Sequence, residues 1–110
     1  MNNKRTYSKY AKEAALLLGN QIKLGRKKNR WSEQNLADRA GISRATLQKI
    51  EAGQMTPSIG IVFETAALVG VNLFEQDHKY LVTDIDLTQS KIALLPRRIR
   101  NKTKAVDDDF

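Results

Sequence analysis

Arg44, Gln48 and Lys49 are the residues of this chain best equipped for recognition chemistry. They stand in the segment SRATLQKIEA, Ser43 to Ala52, where polar groups alternate with Leu47 and Ile50 at helical spacing. A guanidinium fork such as that of Arg44 can give two parallel hydrogen bonds to a guanine edge. The Gln48 amide can pair with adenine or serve a phosphate, and Ala45 and Thr46 can meet a thymine methyl. None of this is covalent chemistry. The chain has no nucleophile motif and no Gly-rich phosphate loop. Its single histidine, His78, has neither cysteine nor a second histidine to join it as a metal ligand. No enzyme activity, cofactor or metal is expected.

The elements that must position these side chains are readable from residue 33 onward. Small Ala37 stands four positions before Gly41, and Gly41-Ile42 leads into Ser43, which can start a helix. Two short helices joined by a tight Gly-containing turn make a helix-turn-helix pattern. In that motif the second helix enters the DNA major groove and offers its N-terminal side chains to base edges. Ser43 and the amides that follow it could hold a phosphate.

The surrounding pattern is helical. Ala11, Ala14, Leu18 and Ile22 recur at three- and four-residue steps, predicting a helix from Ser8 to about Lys28. Arg26, Lys27, Lys28 and Arg30 crowd its C-terminal end, where cations suit the helix dipole, and Lys23, Lys27, Lys28 and Arg30 are candidate phosphate contacts. Ser32 caps a second helix to Ala40, with Leu36, Ala37 and Ala40 inward. The third spans Arg44 to about Ala52 and is closed by Gly53. Ser58 caps a fourth, Ile59 to Val69, with Ile59, Val62, Phe63, Ala66 and Ala67 inward. Asn72 caps a short fifth through about Gln76, where Leu73 and Phe74 close the core. Beyond Asp77 the apolar residues have no single clean period. Tyr80-Leu81-Val82 could be a strand, Asp84 could cap a helix reaching Leu94, and Pro96 stops it. The basic run Arg97 to Lys104 and the acidic Asp107 to Asp109 follow.

The expected organisation is a flexible basic arm at 1–7 and a helix-turn-helix domain at 8–77. A dimerisation or partner-binding extension follows at 78–96, and a disordered charged tail at 97–110. Nineteen Lys and Arg against twelve Asp and Glu give a net charge of +7 over 110 residues. That balance favours polyanions, nucleic acid more often than an anionic membrane. With no cysteine, no apolar run near the ~20 residues of a membrane span and no h-region in MNNKRTYSKY, the expected setting is cytoplasmic.

Several further pieces resemble one family. They are Leu18-Gly19-x-x-Ile22, Leu36-Ala37, Gly41-Ile42-Ser43, Thr46-Leu47, Ile50-Glu51-x-Gly53, Pro57-Ser58 and Ala67 through Glu75. In this order they look like the Cro and phage-repressor (XRE-type) helix-turn-helix domain. The resemblance implies an all-α, five-helix, lambda-repressor-like fold and a homodimer on a palindromic double-stranded operator. It places Arg44, Ala45, Thr46, Gln48 and Lys49 at bases and adjacent backbone, and Arg26 and Glu51 as a structural ion pair. One departure stands out. The family commonly has a phosphate-binding glutamine where this chain has Glu33, a residue that phosphate repels; Gln34 beside it is the substitute candidate. Ser43, Gln34, Lys27, Lys28 and Arg30 complete the expected phosphate set. The ending LLPRRIRNKTK on such a domain is similar to HipB-like antitoxins, which bind a HipA-like serine/threonine kinase toxin and repress their own operon. A solitary phage-type repressor is the alternative.

Overall fold

Serine begins three of the helices by the same chemistry. Ser8 Oγ accepts from the Ala11 amide at 3.1 Å, Ser32 Oγ from Asn35 at 3.0 Å, and Ser43 Oγ from Thr46 at 3.0 Å. Each bond satisfies an amide that the helix itself leaves without a partner. The helices are α1 (Lys9–Lys28), α2 (Glu33–Ala40), α3 (Arg44–Glu51), α4 (Ile59–Leu68) and α5 (His78–Ala93), with a 3-10 turn at Leu73–Glu75. They belong to a computed structural model that describes residues 5–99. All regular structure among the described residues is helical, so the fold is the expected all-α one.

The first four helices also end alike, in paired backbone bonds that reverse the chain. After α2, the Ile42 amide reaches the Ala37 carbonyl at 3.0 Å and the Gly41 amide that of Asp38 at 3.2 Å. Gly41 sits at φ 70°, where a side chain is disfavoured. After α1 the same closure runs from Trp31 to Arg26 at 3.1 Å and from Arg30 to Lys27 at 3.0 Å. There the left-handed position, φ 61°, belongs to Arg30.

The chain divides into two compact units between Glu75 and Gln76. In the first, Ile22 of α1, Leu36 and Ala37 of α2, Leu47 and Ile50 of α3, and Ala66 and Val69 of the α4 end form the buried core. Thr65 is the one hydroxyl sealed in with them, and it donates to the Ile61 carbonyl of its own helix at 2.8 Å. Three expectations for this unit need correction. Ile59 and Ala67 are exposed; α4 turns the expected Val62 and Ala66 toward the core, joined by Ile61 and Val69. The expected fifth helix at Asn72–Gln76 is only the 3-10 turn, broken by positive φ at Phe74 and Glu75. Leu73 packs on the core, whereas Phe74 is 74% exposed and meets Phe63 edge-on at 6.4 Å.

The second unit holds α5. The possible strand at Tyr80–Val82 is helical, and Asp84 lies inside the helix rather than capping it; Asp77 occupies the cap position. A strand there would leave its backbone groups unpaired, with no other strand among the described residues to complete the ladder. A helix satisfies them internally, and both the Tyr80 and Leu81 amides bond to the Asp77 carbonyl at 3.0 Å. No residue of α5 is buried. Of the expected arm, residues 1–4 fall outside the described residues. Arg5 lies over the Tyr7 ring, 5.5 Å from its centroid. The expected charged tail falls outside them from Arg100 onward.

Candidate nucleic-acid interface

The candidate interface is built on α3, an eight-residue helix with one face committed to the core. Leu47 is fully buried and Ile50 nearly so, while Arg44, Ala45, Gln48 and Lys49 are exposed and Thr46 is half-buried. Burying Leu47 anchors the helix; truncation of such a residue to alanine costs about 2–5 kcal/mol. The exposed face is therefore a consequence of sequence periodicity.

Two features hold α3 against α1. Gly19 of α1 lies so near that a Cβ added there would sit 2.5 Å from the Ile50 carbonyl oxygen and 2.8 Å from that of Glu51. At the end of α3, Glu51 accepts from Arg26 Nε at 2.7 Å and from Arg26 Nη2 at 3.1 Å. Both side chains are more than nine-tenths buried. A third bond, Arg26 Nη1 to the Trp31 carbonyl at 3.1 Å, ties in the loop before α2. Hydrogen bonding to Glu51 raises the Arg26 pKa above the usual arginine value, outweighing the opposing effect of burial. A buried charge without its partner is costly, and here every buried side-chain polar atom among the described residues is paired.

On the exposed face the structure brings together three residues. Glu33, the first residue of α2, accepts on a single oxygen, Oε1, from Arg44 Nε and from Gln48 Nε2, each at 3.0 Å. The hydrogen bond from Gln48, then that from Arg44, holds the Glu33 carboxyl below its ordinary pKa. The family resemblance marks Glu33 as out of place next to phosphate, but its tie to two α3 side chains is a tertiary result.

Ser43 Oγ accepts from the Thr46 amide and donates to Thr46 Oγ1 at 2.9 Å. The Arg44 and Ala45 amides, in the first turn of α3, have no intrahelical acceptor to reach. Gln34 donates to Asp38 Oδ1 at 2.8 Å along α2. Lys27 and Lys28 are exposed in the last turn of α1, and Arg30 is exposed just beyond it. None of these three bonds to α3 among the described residues. Sequence reading missed Arg39, whose guanidinium lies over the Trp31 ring, 4.2 Å from its centroid, while its Nε donates to Asn35 Oδ1 at 3.0 Å. The pairing steadies the α1–α2 junction. No group of three or more potential ligands for a metal occurs among the described residues. No helix there is long and apolar enough to cross a membrane.

Capped α2, a tight left-handed turn at Gly41, and α3 with one face in the core and a polar face outward are the geometry of a helix-turn-helix. No curated protein matches the chain. A family model described as helix-turn-helix matches residues 22–76, half of the chain and the stretch that holds α2, α3 and α4. The chain therefore belongs to the XRE-type helix-turn-helix family of DNA-binding transcription regulators.

Proposed function

We propose that the protein is a sequence-specific repressor that binds a palindromic operator as a homodimer. The observation that carries this is the division of α3: Leu47 and Ile50 in the core, Arg44, Gln48 and Lys49 outside. In this reading Arg44, Ala45, Thr46, Gln48 and Lys49 face bases. The amides at the start of α3 meet a phosphate, with Ser43 as their cap. Gln34, Lys27, Lys28 and Arg30 meet others. Arg26 and Glu51 are structural. Footprinting on the DNA upstream of the protein's own gene tests the proposal: protection of a palindrome supports it, and equal affinity for random duplex sinks it.

The segment beyond the DNA-binding domain suggests the second task. α5 exposes Tyr80, Val82, Ile85, Leu87 and Ile92, and DNA binding alone does not require so much apolar surface outside the domain. We assign residues 78–96 to dimerisation or partner binding. The partner we propose is a HipA-like serine/threonine kinase toxin, with this chain as its autoregulating antitoxin. Co-purification with a kinase encoded by the neighbouring gene is the expected result. The absence of such a neighbour leaves the repressor reading standing and removes the antitoxin one, in favour of a solitary phage-type repressor.

A further inference from the structure

We propose that Glu33 is a positioning residue for specificity: it holds Arg44 and Gln48 by one edge each, so that their other edges are set for base pairs. This rests on the reading that α3 carries the base contacts. A carboxylate can only accept hydrogen bonds, so the chemistry of the pair decides which edges are used. Arg44 presents Nε to Glu33 at 3.0 Å. Because the guanidinium is planar and its fork rigid, fixing Nε also fixes the plane of the two terminal nitrogens. Those nitrogens have no partner among the described residues, and together they match the O6 and N7 acceptors of guanine. Gln48 presents Nε2 to the same oxygen at 3.0 Å. That leaves its Oε1 and its second N–H, the pair that adenine N6 and N7 require.

The arrangement contributes little to folding. The Glu33 side chain is 31% exposed and that of Arg44 59%, and exposed ion pairs are screened and weak. Its effect falls on binding instead. Two long side chains that are already oriented lose less rotamer freedom when they dock. The carboxylate also repels the DNA backbone, and that penalty is the same for every sequence. Glu33 thus lowers affinity for all DNA while rewarding only the duplexes whose bases meet the fixed edges. The ratio between specific and non-specific binding rises. A glutamate here is a different solution from a phosphate-binding glutamine: it exchanges a backbone contact for control of two reading groups.

The test uses the full chain and a duplex selected by the wild-type protein from a random-sequence library. Binding is compared with a random duplex and with the selected duplex substituted one base pair at a time, at several salt concentrations. Glu33→Ala is expected to lose about tenfold of the discrimination at the base pair sensed by Arg44, in the range of one good bidentate contact. It should bind random duplex more tightly than wild type. Glu33→Gln, which keeps an acceptor oxygen but no charge, should show the gain on random duplex with a smaller loss of discrimination. Thermal midpoints of both variants should stay near that of the wild type, which separates positioning from folding. Unchanged discrimination in Glu33→Ala, where Arg44→Ala abolishes it, overturns the role of Glu33 alone. Unchanged discrimination in Arg44→Ala overturns the base-contact reading, and the role of Glu33 falls with it.

Discussion

Glu33 has a testable titration. Its folded pKa is lowered by hydrogen bonds from Gln48 and Arg44, so folding favours the charged form. The stabilisation is present above the ordinary glutamate range and is lost as pH falls through the lowered value. In an NMR titration, Gln48→Ala or Arg44→Ala should move the Glu33 midpoint upward, toward an unperturbed glutamate; an unmoved midpoint would remove the bonds as the cause. Arg30 offers a second single-residue test. Its φ of 61° is costly for a side chain by about 1 kcal/mol. Arg30→Gly is therefore expected to stabilise the protein by up to ~1 kcal/mol in urea unfolding, after the larger unfolded-state entropy of glycine is counted. If Arg30 meets a phosphate as proposed, the same change lowers the salt slope of operator binding by about one. Arg26 behaves oppositely. Removing either member of its buried pair with Glu51 strands a charge and should cost about 3–5 kcal/mol, a large share of the ~5–15 kcal/mol typical of a whole domain.

Helices set where these residues stand, and α1 does more than fill space. With no Cβ at Gly19, its backbone comes within contact distance of the carbonyls that end α3. Gly19→Ala must separate the two helices, and overpacking of this kind costs about 1–3 kcal/mol. Because α3 is what shifts, operator affinity should fall further than non-specific affinity does; equal losses on both would mean that α3 keeps its angle. α5 poses a separate question. His78, Leu81, Ile85, Thr88 and Ile92 follow one another at alternating steps of three and four, the spacing of a two-helix seam. Ile85 and Ile92 are 53% and 62% exposed. Our dimer proposal predicts that Ile85→Asp with Ile92→Asp yields a monomer in sedimentation, with helix content kept and palindrome affinity reduced. A dimer that survives both changes would place the two-fold contact elsewhere.

For the whole molecule, a net charge of +7 means that binding to any DNA should weaken steeply with salt. Only the ratio between operator and random duplex then reports recognition. Much of the fold is legible in the sequence alone. The serine caps, the glycine after α2 and the Leu47–Ile50 spacing are local signals, governed by backbone sterics and helical period, and they located α1 to α4 and the exposed face of α3. Other local signals misled, two of them beyond α4. Tyr80, Leu81 and Val82 suggested a strand, but a strand needs a neighbour, and the backbone of α5 is satisfied within itself. Phe74 looked like core, yet positive φ at Phe74 and Glu75 ends the expected helix as a turn, with Phe74 outside. The sequence by itself therefore determined α1 to α4, the serines that begin them and the exposed face of α3, because these depend on neighbours a few positions away. Only the tertiary structure decided that Glu33 joins Arg44 and Gln48 on one oxygen, and that Gly19 lets α1 touch α3. Those contacts unite residues 11 to 32 positions apart, and their partners are set by how the helices pack, not by any period along the chain.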